Sequence, residues 1–242
     1  TMTRNNKQQA EFILLHSTKY GDSSLVLHTL SREYGRRSLF LRSVSAAASI
    51  AGGAGRASKR GGARAAVLGL VSPLNILEGE VAVNPASSSA MMTVSSLAAS
   101  YPLNGLRGNL YKASISMFMA EVLFRVLRDG ANEEGLYDWC IRKILLLDAM
   151  DGNFSNFHLL FLLELTSVLG FRPEFSDLAP FVSAENAAAA ESLMRLPFEE
   201  AMLVPMTGAV RSDLIESFLS YMEIHLEYPL NIRSASVLKD LF

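Results

Sequence analysis

The apolar positions of the chain follow two rhythms. Before about residue 100 they fall in short runs bounded by turn residues. Phe12 to His16 is a run of strand formers, Tyr20-Gly21-Asp22 marks a turn, and Leu25 to Leu30 is a second run. A turn through Glu33-Tyr34-Gly35 leads to a third strand, Arg37 to Val44. Short strands with tight turns predict a small barrel or sandwich. Side chains alternate along a strand, so Arg37, Leu39 and Leu41 share one face of the third strand and Ser38, Phe40 and Arg42 the other. Pro73 to Val83 is a fourth strand, and Met91 to Ala99 fits either a fifth strand or a short helix.

After Gly105 the period lengthens. Ile115, Phe118, Met119, Val122, Leu123 and Val126 recur at the i, i+3, i+4, i+7 spacing of an amphipathic helix. Further helices are predicted from Glu134 to Ala149, Phe154 to Leu169 and Ala184 to Leu196. A last long helix carries Leu214, Ile215, Phe218, Leu219, Met222 and Leu226 on one side. The helix from Phe154 is apolar nearly all round, which places it at the centre of a bundle; Gly170 and Pro173 end it. The fold class is therefore α+β in two domains, a β-module over 1–103 and an all-α domain over 104–242.

Charge follows the same division. From Thr1 to Glu80 eleven lysines and arginines face five acids, a balance of +6; from Val81 onward the balance is −8. No acid lies between Tyr34 and Leu77, where Arg36, Arg37, Arg42, Arg56, Lys59, Arg60 and Arg64 all fall. A basic module with unopposed charge attracts a polyanion, usually nucleic acid. A five-stranded barrel with that charge suggests an OB-fold. Ser45 to Ala66 is almost wholly Ala, Gly, Ser, Arg and Lys, without aromatic residue or apolar period, and reads as a loop. Its Gly52-Gly53-Ala54-Gly55 cluster is not a nucleotide-binding loop, because no Gly precedes Lys59 and no Ser or Thr follows it. A Gly-rich loop can instead follow a phosphate backbone while its Arg and Lys supply charge.

The candidate DNA-binding residues are thus Lys19, Arg32, Arg36, Arg37, Phe40, Arg42, Arg56, Lys59, Arg60 and Arg64. If Leu39 and Leu41 fill the barrel, Phe40 points outward beside a cation and offers a stacking platform for an unpaired base; with the register reversed it is core. Tyr20 and Tyr34, near Lys19 and Arg32, either stack on a base or simply pack. No pair of histidines has zinc-protease spacing, and the single cysteine, Cys140, excludes an intrachain disulfide and a cysteine-cluster metal site. His158 and Glu164 lie on the apolar helix, where a buried histidine and a structural ion pair are the readings; a cleft exposing both would indicate an enzyme instead. Neither a nucleophile elbow nor any other catalytic constellation is present in the sequence. Thr1 to Glu11 is polar and predicts no signal peptide, and Met2 is the expected natural start. The longest apolar stretch, Phe157 to Phe171, is interrupted by Glu164 and too short for a bilayer, so a soluble, cytoplasmic chain with no cofactor is expected.

Several blocks resemble the RecO family of bacterial recombination-repair proteins. They are Tyr20-Gly21-Asp22-Ser23-Ser24-Leu25, Thr29, Glu33-Tyr34-Gly35-Arg36 and Ser72-Pro73-Leu74. In the helical half they are Tyr111 to Ile115, Ala120 to Leu123, Leu169-Gly170-Phe171-Arg172-Pro173 and Ser236 to Phe242. The resemblance implies an N-terminal OB-fold and a C-terminal helical domain. It further implies binding of single- and double-stranded DNA, strand annealing, and loading of the recombinase RecA onto coated single strands. The implied partners are RecR and the acidic tail of single-strand-binding protein, for which Arg125 and Arg128 are candidate contacts. Many members carry a four-cysteine zinc knuckle after the Gly-Phe-x-Pro segment; Phe175 to Thr207 has no cysteine here, so no structural zinc is expected. The rival reading is a non-enzymatic adaptor whose basic loop binds an acidic protein.

Overall fold

The computed structural model describes residues 6–42, 69–83 and 92–241. The chain forms two compact units that interleave in sequence: Thr1–Pro102 with Leu127–Ile141, and Leu103–Val126 with Arg142–Phe242. The first unit is a closed five-stranded barrel, with strands β1 (Asn6–Tyr20), β2 (Ser24–Ser31), β3 (Gly35–Leu41), β4 (Ile76–Val83) and β5 (Met92–Ala99). The order around it is β1-β2-β3-β5-β4, and β4 pairs back onto β1. All pairs are antiparallel except β3 with β5. This is the OB-fold connectivity. The first strand is longer than its apolar run because it serves two neighbours, pairing β4 over Asn6–Ile13 and β2 over Phe12–Tyr20, with an irregularity between Leu14 and His16.

Phe12, Leu14, Leu25, Leu27, Leu39, Leu41, Leu77, Val81 and Val94 fill the barrel. The third strand ends at Leu41, and Pro73 and Leu74 form a turn before β4 rather than its start. Met92–Ala99 is a strand. Its apolar spacing widens from two to three between Val94 and Leu97 because a bulge falls there, with Ser96 at φ 56°. That irregularity is what gives its sequence a helical look.

The second unit is helical: α1 (Asn104–Gly108), α2 (Leu110–Val126), α3 (Leu136–Ala149), α4 (Phe157–Val168), α5 (Phe175–Leu178), α6 (Ala187–Arg195), α7 (Phe198–Met202), α8 (Gly208–Leu226) and α9 (Ser234–Leu241). The first residues of α3 belong to the barrel unit. As its composition predicts, α4 is central: Phe157 to Leu163, Leu165 and Thr166 are buried. The cysteine-free stretch after Pro173 folds as α5 to α7, which bury Leu178, Ala190, Leu193, Ala201 and Met202. Among the described residues no helix is long and apolar enough to cross a membrane.

One buried group makes stability depend on pH. His158 is 0% exposed and packs edge-on against Phe118, with ring centroids 6.1 Å apart. Burial, and secondarily the charge of Arg211, lowers its pKa from 6.5 to about 3. Unfolding lets it take up a proton, so stability is lost as the pH falls below 6.5, and the loss continues down to about 3. At about pH 5 it amounts to about 2 kcal/mol. The helical circular-dichroism melt of the wild type is therefore expected to move down between neutral pH and pH 5, and that of His158→Leu to move clearly less. Equal shifts would assign the effect to other groups.

Candidate nucleic-acid interface

The outer face of the barrel is set by the parity of β3. Leu39 and Leu41 are 2% and 1% exposed, inside the barrel, so Ser38 and Phe40 face outward. Phe40 stands opposite Val26 of β2 and Thr93 of β5, and Val26 stands opposite Thr18 of β1. Tyr20, 63% exposed at the end of β1, meets Phe40 edge-on at 5.4 Å and 88°. Two aromatic rings from β1 and β3 thus meet near the β1–β2 turn. Arg42, two residues beyond Phe40, is exposed with the same outward parity, and Lys19, next to Tyr20, is exposed at the barrel's end with the parity of Leu25. No carboxylate pairs with Lys19 or Arg42 among the described residues.

The other predicted cations are placed differently. Arg32 binds Asp138 with both terminal guanidinium nitrogens, Nη1 and Nη2, at 2.8 and 2.5 Å, and lies over the Tyr137 ring. Tyr137 in turn donates to Glu11 at 2.9 Å. Arg36 has the outward parity of Phe40 but is only 5% exposed, with its guanidinium 3.7 Å from Asp129. The cause is the edge of β3. Its pairing with β5 covers only Leu39–Leu41, and residues 129–131 cover the rest: Arg36 N–H donates to the Ala131 carbonyl at 2.7 Å and Gly130 N–H to the Arg36 carbonyl at 2.8 Å. Arg32 and Arg36 are therefore held by carboxylates of this chain and do not join the outward cluster. Arg37, half-buried, has the inward parity of Leu39, and its guanidinium lies beside Gly130. Tyr34 packs against the barrel core and donates to Gln8 at 2.7 Å, which favours its packing role. Arg56, Lys59, Arg60 and Arg64 lie outside the described residues.

The row next to Phe40 holds two histidines that sequence reasoning weighed only as metal ligands. His16 and His28 are opposite each other across β1 and β2, with rings 5.8 Å apart and 16° from parallel. His28 shares hydrogen bonds with Ser38 Oγ at 2.9 Å and Thr18 Oγ1 at 3.4 Å. Burial, followed by the charges of Arg36 and His16, keeps the His28 pKa below its ordinary value. The signal was available: a hairpin closing with Tyr20 opposite Ser24 sets His16 opposite His28 when the register is counted back.

In the helical unit, Arg125 is exposed in the last turn of α2 and lines a shallow cleft with Asn231, Ile232 and Arg233. Arg128 is exposed in the segment assigned to the barrel unit. Glu164 lines a cleft of about 300 Å³ with Arg172 and apolar neighbours, and it is paired with Lys143 at 2.6 Å. His158 is fully buried, so these two groups do not form a solvent-facing pair. Cys140 is buried, and burial raises its thiol pKa far above the ordinary value. Among the described residues no group of three or more His, Cys, Asp or Glu is placed to hold a metal ion.

The chain is similar to known proteins along nearly its whole length. The family model described as "Recombination protein O C terminal" matches residues 107–180. A DNA repair protein RecO from Phocaeicola vulgatus is 30% identical, over 97% of this chain and 99% of that protein. Proteins of the same name from Bacteroides fragilis and Porphyromonas gingivalis are 26% and 28% identical; the matches span 97% and 95% of this chain and 99% and 97% of those proteins. With the barrel followed by helices, and with similarity that runs through both, the chain belongs to the RecO family of DNA repair proteins.

Proposed function

We propose that this protein is a non-enzymatic mediator of recombinational repair that binds DNA through its barrel unit. The observation that carries this reading is the outward Phe40–Tyr20 pair with Lys19 and Arg42 beside it, unpaired by any carboxylate among the described residues. Rings offer faces on which any unpaired base stacks, and cations neutralise phosphates, so the surface favours single strands with little sequence preference. The basic segment Ser45 to Ala66 adds sequence-independent charge. Lowering the repulsion between two phosphate backbones favours annealing. Loading of a recombinase onto coated single strands would then use the helical unit for partners, RecR and the acidic tail of single-strand-binding protein. Arg125, exposed on that unit, is suited to meet carboxylates there, and Arg128, exposed on the barrel unit, is a separate candidate contact.

The test is fluorescence anisotropy with labelled single-stranded and duplex DNA across a salt series. Arg42→Ala is expected to reduce the log–log salt slope on single strands by about 0.7, the value of one phosphate contact. Phe40→Ala is expected to weaken single-strand binding about five- to tenfold with the slope unchanged, since stacking releases no counterions. Absence of wild-type binding even at low salt would overturn the DNA-binding reading. Complexes with acidic proteins that survive nuclease would then favour an adaptor.

A further inference from the structure

The outward rows of the barrel repeat. In one row Thr18, Val26 and Phe40 stand side by side; in the next, His16, His28 and Ser38. Successive outward rows are two residues apart, about 7 Å along the strands. That is about twice the 3.4 Å per nucleotide of a stacked strand, the reach of a chain whose bases have been drawn apart. Resting on the DNA-binding reading above, we propose that His16 and His28 form a second base platform one row from Phe40, so that the face seats two consecutive unpaired bases.

The two rows are built differently and for the same end. At the first, Tyr20 braces Phe40 edge-on. At the second, His28 is held in orientation by Ser38 and Thr18, and the exposed His16 stacks against it nearly parallel from the neighbouring strand. A ring fixed by two hydroxyls and backed by another ring is preorganised, so little side-chain freedom is lost when a base settles on it. The lowered pKa of His28 keeps that ring neutral at physiological pH, where a flat aromatic surface, not a charge, is what it offers. A cross-strand pair serving only the sheet would also stack, but its removal would act on stability and not on base recognition.

The experiment compares an oligothymidylate with an oligonucleotide of equal length whose central positions are abasic, for wild type, His16→Ala and His16→Tyr. His16 is exposed, so its replacement leaves the barrel core intact. His16→Ala is expected to bind oligothymidylate about fivefold more weakly, the low end of what one stacked base contributes, with no loss on the abasic strand. His16→Tyr is expected to restore the affinity. Unchanged affinity of His16→Ala, or an equal loss on both strands, would overturn the base platform while the DNA-binding reading stands. Failure of wild type to bind either strand would remove that reading and this proposal with it.

Discussion

Changing Arg56, Lys59, Arg60 and Arg64 together to Ala is expected to weaken binding to single-stranded DNA on the order of a hundredfold near 0.1 M salt. The four cations lie in a stretch without a single acid, so no carboxylate near them in sequence competes for them. Each phosphate they neutralise releases about 0.7 of a counterion equivalent on a single strand, and four such contacts would flatten the log–log slope by about 3 units. The loss should therefore shrink as salt rises, because the removed contacts are the salt-sensitive ones. A salt series by anisotropy reads both quantities at once. If the variant binds as the wild type does, the segment is not on the phosphates, and the contact falls to the outward barrel face around Phe40 and Arg42. If affinity drops without any change of slope, the substitutions act through something other than charge.

That prediction concerns residues whose role rests on composition alone, and it marks how far the sequence reaches. The barrel is legible because local rules agree with the fold: the Tyr20-Gly21-Asp22 turn, the alternation of Leu39 and Leu41, and the switch of period after Gly105 all survive in the structure. So does the outward Phe40, once Leu39 and Leu41 are known to fill the core. The pairing of charges is not legible. Asp138 is 106 residues from Arg32, and nothing local announces that they meet. A count of cations treats Arg32, Arg36 and Arg42 alike, yet of the three only Arg42 is exposed with no carboxylate paired to it among the described residues. The same limit hid residues 129–131, whose backbone completes the edge of β3 from a distant part of the chain. Long-range partners decide which charges remain for a ligand. For the histidine pair the obstacle was different: the information is local, but it appears only when the hairpin register is counted.

The edge contact yields the largest expected effect on folding. Gly35→Ala should destabilise the barrel unit by about 3–5 kcal/mol. Gly35 has φ +61°, and a Cβ there would collide with the Ala131 carbonyl oxygen and approach the Asn132 Cβ at 2.7 Å. The Ala131 carbonyl cannot retreat freely, because it accepts the Arg36 N–H while Gly130 N–H donates back to the Arg36 carbonyl. Moving it loosens both hydrogen bonds and draws Asp129 from the buried Arg36 guanidinium. Gly21 is the internal control. Its φ is +64°, nearly the same, but nothing lies within 4 Å of the position its Cβ would take. Gly21→Ala should therefore lose only the left-handed backbone term, about 1–2 kcal/mol. Trp139, the single tryptophan, is buried in the segment that packs with the barrel, so urea unfolding followed by its fluorescence reports on this unit. A midpoint clearly lower for Gly35→Ala than for Gly21→Ala would measure the steric term by itself. Equal midpoints would mean that residues 129–131 yield without loss, and that the edge of β3 is not clamped by them.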